Sequence, residues 1–219
     1  MKPAGMHWGY WVGWQSSRLI AKGYFGWRAL HPERLPLHGP CLVAANHACF
    51  FDPFFVGAGT TREMYYLARA SAFWFPLGAM LRRFNAIPMD RESGGLKGML
   101  RIIDIINQGH AITLFPEGTR TADGQLQPAK AGVGLIAIKS AGPVVPVRIF
   151  GSYEAWNRHM TFPRPRRRVT VKYGHPLDFS ALRAEAADCS KPRLKAIYQE
   201  VSDAIMRAIA SLEPHEDPA

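Results

Sequence analysis

The feature that most constrains the fold is the alternation of short apolar runs with longer helical patterns. The runs predict strands at residues 41–45, 64–67, 86–89, 111–115, 144–150 and 169–173. Helical patterns between and after them predict helices at residues 53–59, 72–83, 95–107, 133–140 and 192–211. Such alternation is typical of strands that run largely parallel, with helices on the faces of their sheet. For a chain of 219 residues, the prediction is an α/β fold: a single domain with a mixed, largely parallel sheet flanked by helices.

Ahead of the first strand lies an aromatic-rich segment, residues 6–30, which polar residues such as Arg18 and Lys22 interrupt. A span of the bilayer needs about 20 mostly apolar residues. The segment also lacks the basic start, aliphatic stretch and small-residue cleavage site of a secretory signal. We therefore predict an N-terminal amphipathic helical arm over residues 1–35 that lies in a membrane interface, followed by the main domain at residues 36–219. A helix packed on that domain is the alternative.

The charge of the chain predicts a polyanionic partner, because 27 Lys and Arg residues outnumber 17 Asp and Glu residues and give a net charge of +10. Six Trp and seven Tyr residues favour a membrane interface over nucleic acid. The basic run at residues 164–168 is either a solvated edge or a contact for anionic lipid headgroups. We expect an anionic membrane surface as partner and no nucleic acid.

Cysteine usage argues against a disulfide framework and against a zinc site. The chain has three cysteines, Cys41, Cys49 and Cys189, an odd number without a C-x-x-C pair. This usage fits a reducing cytoplasm, and no metal site is expected.

A histidine and an aspartate follow the first predicted strand, in the block Asn46–Pro53. Open α/β sheets place their sites at the carboxyl ends of strands. On a continuous helix, His47 and Asp52 would point about 140 degrees apart, so a loop must join them. Asp52 before Pro53 is a good N-cap before a first helical residue, which predicts that the loop ends where a helix begins. The two side chains can then meet, so that the carboxylate orients the imidazole and the other ring nitrogen removes a proton from a substrate hydroxyl.

A second block, Phe115–Arg120, follows the predicted strand at residues 111–115. In it, Arg120 suits a phosphate, Gly118 allows close approach of a ligand to the backbone, and Glu117 suits a hydroxyl or the arginine. Arg91 after a third strand and Lys130 further along add cations to the same edge of the sheet. This convergence predicts a phosphate-bearing substrate.

Together these blocks resemble the glycerolipid acyltransferase family, most closely the bacterial 1-acyl-glycerol-3-phosphate acyltransferases. Asn46, His47 and Asp52 match the family's N-H-x4-D motif, although Cys49 stands where the family often has Ser. The family's second, third and fourth motifs are matched by Ile87, Asp90 and Arg91, by the unchanged F-P-E-G-T-R at residues 115–120 with Lys130 downstream, and by the strand at residues 144–147 with Pro146. The resemblance implies catalysis by His47 and Asp52, and substrate binding by Arg91, Glu117, Gly118, Thr119, Arg120 and Lys130.

The reaction that the resemblance implies is transfer of a fatty acyl group from acyl-CoA or acyl-carrier protein to the sn-2 hydroxyl of 1-acyl-glycerol-3-phosphate. The product is phosphatidic acid for phospholipid biosynthesis, and no cofactor is expected beyond the acyl donor, which is a substrate. The chain has no G-x-S-x-G sequence, which favours direct transfer without an acyl-enzyme. The expected location is the cytoplasmic face of the cell membrane, as a peripheral or monotopic protein. The alternatives are transfer to another lyso-lipid, such as lysophosphatidylcholine or a lyso-ornithine lipid, and a non-catalytic binder of anionic membranes or nucleic acid.

Overall fold

The structure is a computed structural model of the chain, and it describes residues 2–3, 5–89 and 95–217. The helices are α1 (Trp8–Phe25), α2 (Asp52–Ala58), α3 (Leu77–Arg83), α4 (Leu96–Asn107), α5 (Gly132–Lys139), α6 (Ser152–Trp156), α7 (Ser180–Ala187) and α8 (Lys191–Ala210). The strands are β1 (Arg28–Leu30), β2 (Cys41–Ala45), β3 (Met64–Arg69), β4 (Ala86–Met89), β5 (Ala111–Leu114), β6 (Val144–Phe150) and β7 (Thr170–Tyr173). Short 3-10 helices lie at Pro32–Arg34 and Ala70–Ala72.

The strands form one sheet in the order β1-β7-β6-β2-β5-β3-β4. All neighbouring strands run parallel except β6 and β7, which are antiparallel. The predicted α/β fold with a mixed, largely parallel sheet is therefore confirmed. Strand β2 lies between β6 and β5, in register from Cys41 opposite Ala111 to Ala44 opposite Leu114. The loops that follow β2 and β5 consequently leave the sheet side by side.

Both faces of the sheet are covered, which explains why β2 is buried along its whole length. Alternate residues of a strand point to opposite faces. Cys41, Val43 and Ala45 pack in the core formed with α1 and α2, whereas Leu42 and Ala44 pack in the core formed with α4, α5, α7 and α8. A strand buried on both faces is apolar throughout instead of alternating, and this is the pattern that the sequence shows.

Helix α1 is a single helix packed on the domain through one stripe of side chains. Trp14 is buried in this stripe, and its Nε1 donates a hydrogen bond of 3.1 Å to the Gly57 carbonyl oxygen in α2. The opposite stripe is apolar and exposed at Trp8, Val12 and Leu19. Strand β1 also lies within the first 35 residues and pairs with β7. The division at residues 35 and 36 and the contact of this arm with a membrane stay predictions. No helix in the described ranges combines the length and the apolar character needed to cross a membrane.

Three elements, β1, α6 and α7, are absent from the sequence prediction. Strand β1 has three residues and forms by pairing Arg28 with Thr170, far along the chain. Helix α6 has five residues, and α7 buries only Ala186. Helix α3 begins at Leu77 instead of residue 72, because Pro76 stands at its amino end and has no N–H to continue a helix through that point.

Candidate active site

The loops after β2 and β5 meet at the carboxyl end of the sheet and hold His47 between them. The His47 backbone N–H donates a hydrogen bond of 2.9 Å to Glu117 Oε1. The Thr121 N–H donates one of 2.8 Å to the His47 carbonyl oxygen. The backbone of His47 is therefore fixed on both sides by the second loop.

The imidazole of His47 and the carboxylate of Asp52 are in contact, with 2.9 Å between Nδ1 and Oδ2. The same Oδ2 accepts hydrogen bonds of 2.7 Å from the backbone N–H groups of Ala48 and Cys49. Helix α2 begins at Asp52, so the loop ends where the sequence predicts. The N-cap is Phe51, however, and not Asp52 as predicted. The Asp52 carboxylate accepts its hydrogen bonds from the loop before it, and therefore does not cap the helix after it.

Asp52 is fully buried, and Oδ2 has three donors around it. Its other oxygen, Oδ1, has no hydrogen-bond partner within the described residues. This arrangement directs the acceptor oxygen at His47 Nδ1 and thereby fixes the tautomer with the proton on Nδ1. The His47 side chain is 19% exposed. Its Nε2 makes no hydrogen bond within residues 2–3, 5–89 and 95–217, which the structure describes, and it can accept a proton from a bound hydroxyl.

Two further residues position His47 and were not among the predicted site residues. The Phe115 ring stacks on the imidazole, with 4.0 Å between ring centroids and 18° between planes. The Asn46 side chain extends the pairing of β2 with β6: its amide donates to the Ile149 carbonyl at 3.1 Å and its oxygen accepts from the Ile149 N–H at 2.7 Å. Asn46 and Phe115 belong to the matched motifs, and this was the sequence signal that could have identified them. Their roles depend on contacts across the sheet, which the sequence does not show.

Glu117 connects the two loops through both of its carboxylate oxygens. Oε1 accepts from the His47 N–H, and Oε2 accepts from the Gln127 N–H at 3.2 Å. The residue is 3% exposed, and burial raises the pKa of its carboxyl group. Direct substrate binding by Glu117 stays a prediction, but this geometry favours a positioning role.

The other predicted binding residues that the structure describes lie in the second loop. Gly118 has a φ of +69°, and a Cβ placed on it would stand 2.9 Å from Lys130 Nζ. The Lys130 chain therefore passes directly over Gly118, which explains the need for glycine there. The Arg120 guanidinium lies 5.9 Å from the centre of the exposed Phe50 ring, and Thr119 is exposed. Arg91, with its neighbour Asp90, lies outside the described residues.

Cys49 is buried beside His47 and Asp52. Burial, followed by the nearby Asp52 charge, raises the pKa of its thiol, although the charge of Arg120 opposes the rise. A buried thiol with a raised pKa is a poor nucleophile. Among the described residues, no group of three or more His, Cys, Asp or Glu side chains is placed to hold a metal ion.

Comparison with known proteins places this geometry in a family. A sequence model described as Acyltransferase matches residues 28–150. The 1-acyl-sn-glycerol-3-phosphate acyltransferase of Limnanthes alba is 31% identical over 141 residues, which cover 63% of this chain and 50% of the relative. The protein of the same name from Bacillus subtilis (strain 168) is 29% identical over 130 residues, 58% of this chain and 63% of the relative. The chain thus spans about half the length of the plant relatives that it matches.

A solved structure shows the same fold. The crystal structure of the 1-acyl-sn-glycerophosphate acyltransferase PlsC from Thermotoga maritima superimposes with a TM-score of 0.69 at 20% identity, over 94% of this chain and 82% of that chain. The family match covers more than half of this chain and includes the loops that carry His47, Asp52 and Glu117. On these grounds, the chain belongs to the Acyltransferase family.

Proposed function

We propose that the chain transfers a fatty acyl group from a thioester donor, acyl-CoA or acyl-carrier protein, to the sn-2 hydroxyl of 1-acyl-glycerol-3-phosphate. The product is phosphatidic acid for phospholipid biosynthesis. The observation that carries the proposal is the contact of 2.9 Å between His47 Nδ1 and the fully buried Asp52 carboxylate, which leaves Nε2 available at the surface. The relatives, which are named 1-acyl-sn-glycerol-3-phosphate acyltransferases, support this choice of acceptor.

In the proposed reaction, His47 Nε2 removes the proton of the acceptor hydroxyl while the hydroxyl oxygen attacks the thioester carbonyl carbon. The C–S bond breaks, and the leaving thiolate takes the proton from the imidazolium. Asp52 stabilises the positive charge of the imidazolium through its hydrogen bond to Nδ1. Base catalysis of this type typically contributes about 100- to 10,000-fold.

No acyl-enzyme is required for this route, and the site supports direct transfer. The nucleophile nearest to the catalytic pair in sequence is Cys49, and its buried thiol has a raised pKa. A thiol of this kind holds its proton at neutral pH and attacks a thioester poorly. The acceptor hydroxyl is therefore the attacking group.

The phosphate of the acceptor is assigned to Arg120 and Lys130, with Arg91 as a further proposed contact. Lys130 is exposed, and its side chain packs over Gly118, which keeps its ammonium group beside the second loop. A guanidinium can bind two phosphate oxygens at once, whereas an ammonium acts as a point charge. Both cations belong to the loop that also fixes the backbone of His47.

The chain is proposed to work at the cytoplasmic face of the cell membrane, as a peripheral or monotopic protein on an anionic lipid surface. The exposed apolar stripe of α1 at Trp8, Val12 and Leu19 supports such a contact. Arg18 and Lys22 of the same helix supply charges for anionic headgroups.

The test is thiol release from palmitoyl-CoA by purified protein, with 1-acyl-glycerol-3-phosphate, lysophosphatidylcholine, a lyso-ornithine lipid or no acceptor. We expect release that depends on 1-acyl-glycerol-3-phosphate and yields phosphatidic acid. We expect Arg120→Ala to raise the KM for this acceptor more than it lowers kcat, because the arginine binds phosphate and does not move the proton. A preference for another lyso-lipid would reject the acceptor assignment, and equal release without acceptor would indicate a hydrolase.

A further inference from the structure

The segment between α6 and β7, residues 157–169, follows the part of the chain that matches the family model. We call it the rim loop. It carries four exposed arginines, Arg164, Arg166, Arg167 and Arg168. None of the four makes an ion pair within the described residues. Four like charges so close in sequence repel one another, so their grouping has an electrostatic cost to the fold.

The rim loop is held rigidly against the carboxyl end of α1. The Tyr24 hydroxyl donates a hydrogen bond of 2.9 Å to the Pro163 carbonyl oxygen, and the Arg166 N–H donates one of 2.7 Å to the Tyr24 carbonyl oxygen. The Arg164 N–H also donates to the Ala155 carbonyl oxygen in α6 at 2.8 Å. The arginines are therefore presented from a fixed backbone and not from a free coil.

An exposed aromatic ring stands beside these charges. Phe162 is 80% exposed, and Leu19 and Ile20 of the adjoining helix are also exposed. Single exposed apolar residues are ordinary, but here they are combined with a basic cluster. Aliphatic and aromatic side chains beside arginines match a surface that has both apolar and anionic layers. A lipid bilayer has both, whereas binding to nucleic acid rests chiefly on phosphate contacts and base stacking, to which aliphatic side chains such as Leu19 and Ile20 contribute little.

Further basic residues lie between the rim loop and β1, at the edge of the sheet. The Arg28 N–H donates a hydrogen bond of 3.0 Å to the carbonyl oxygen of Val169, the last residue of the rim loop. Beside Arg28, a shallow cavity of about 390 Å³ between α1 and β1 is also lined by Arg18 and Lys22. The Arg28 guanidinium donates to Thr170 Oγ1 and to the Pro214 carbonyl oxygen, so Arg18 and Lys22 are the cations placed to meet the phosphate of a lipid headgroup.

The rim loop also contacts the candidate active site. The Arg158 guanidinium donates a hydrogen bond of 3.4 Å to the Arg120 carbonyl oxygen, and His159 Nε2 lies 3.2 Å from the Ala122 carbonyl oxygen. Phe50, 55% exposed, lies between Arg120 and Trp156 of α6. A surface that binds the rim loop therefore also lies next to the site where the acceptor is proposed to react.

From these contacts we infer that the rim loop, together with the outward face of α1, docks the chain on an anionic lipid bilayer and turns the active site towards it. The inference rests on the proposed function for its biological purpose, since an acceptor with an acyl chain resides in the bilayer. The binding surface itself is defined without any reference to turnover.

The test is co-sedimentation of the full chain with vesicles of phosphatidylcholine, with and without phosphatidylglycerol. One variant carries Arg166→Gln, Arg167→Gln and Arg168→Gln. Its matched control carries Arg101→Gln, Lys139→Gln and Lys195→Gln, exposed charges on helices of the other face of the sheet. Each triple variant removes three positive charges. We expect the rim variant to bind anionic vesicles on the order of 100-fold more weakly, and the control to lose far less.

A second pair of variants tests the apolar contact. Phe162→Ser is expected to weaken vesicle binding roughly 10-fold. Leu37→Ser is expected to have little effect, because Leu37 is 58% exposed but precedes β2 at the end of the sheet away from His47. Equal losses in the rim triple variant and its control, or no loss in the rim variants, would overturn the inference. Tighter binding of duplex DNA than of anionic vesicles, lost in the rim triple variant, would overturn the choice of lipid.

Turnover separates this inference from the proposed function. With detergent-dispersed acceptor, the rim variants are expected to release thiol at the wild-type rate, since docking is no longer needed. Failure of the wild type to turn over would reject the proposed function and leave the vesicle result to stand. Loss of turnover in detergent by the rim variants, with unchanged vesicle binding, would overturn the docking role.

Discussion

Glu117→Gln is expected to weaken the fold and lower kcat while leaving the acceptor KM nearly unchanged. The Glu117 carboxylate accepts one backbone N–H from each loop, at 2.9 Å from His47 and 3.2 Å from Gln127. Glutamine has the same shape but only one acceptor oxygen. Its amide nitrogen must face one of the two N–H groups, so one hydrogen bond is lost and a donor is left buried.

An unsatisfied buried N–H costs about 1–3 kcal/mol, and removal of a buried charge offsets part of that cost. We therefore expect a loss of about 2 kcal/mol in the free energy of unfolding, or a Tm lower by about 4–8 °C for a domain of this size. The catalytic loss follows because the Glu117 bond holds the backbone of His47. A displaced imidazole reacts more slowly but does not alter the proposed contacts of Arg120 with phosphate.

The effect also has a defined pH dependence. Burial raises the pKa of the Glu117 carboxyl in the folded state. A group whose folded pKa lies above its unfolded pKa stabilises the fold fully below the unfolded pKa, and that contribution is lost as pH rises through the folded pKa. Glutamine does not titrate. The difference in unfolding free energy between wild type and Glu117→Gln should therefore be larger at acidic pH than at neutral pH.

Urea unfolding at both pH values and steady-state kinetics with varied acceptor together test this reasoning. The position of Glu117 predicts a lower midpoint and a lower kcat. An unchanged midpoint with a raised acceptor KM would refute it and assign Glu117 to direct substrate contact.

Three further variants address the rest of the site. Asp52→Asn keeps the shape of the side chain but not its charge, and should lower kcat by about 100- to 10,000-fold in thiol-release assays; near-normal kcat would contradict its role. Gly118→Ala should cost about 1 kcal/mol in urea unfolding because of its positive φ, and should raise the acceptor KM as Lys130 is displaced; an unchanged KM would argue against Lys130 as a phosphate contact. Asn46→Ala should cost about 1–3 kcal/mol in thermal unfolding, since the Ile149 N–H loses its acceptor; an unchanged Tm would show that water replaces the amide.

The pairing of His47 with Asp52 could be predicted because its cause is local. The two residues are five positions apart, Asp52 precedes a proline, and the preceding strand is apolar along its length. The neighbourhood of the two motif loops could also be predicted, because carboxyl ends of parallel strands share one edge of a sheet. Both expectations depend only on chain geometry.

The partners of Glu117 could not be predicted in this way. Its carboxylate binds backbone N–H groups, which every residue except proline has. The sequence therefore does not show which of these groups it binds. The same limit applies to β1, whose three residues become a strand only by pairing with β7. The position of the basic run at residues 164–168 could not be predicted either. The hydrogen bonds that hold it beside α1 join Tyr24 to the rim loop, and these segments are far apart in sequence.

The measurement that tests the central claim most directly is acceptor-dependent thiol release by His47→Ala, with His38→Ala as the matched control. His38 is exposed in the segment before β2, at the end of the sheet away from the site. If His47 Nε2 removes the proton of the acceptor hydroxyl, His47→Ala should lose release while remaining folded, and His38→Ala should keep both the fold and release. Wild-type release by a folded His47→Ala protein would contradict the account.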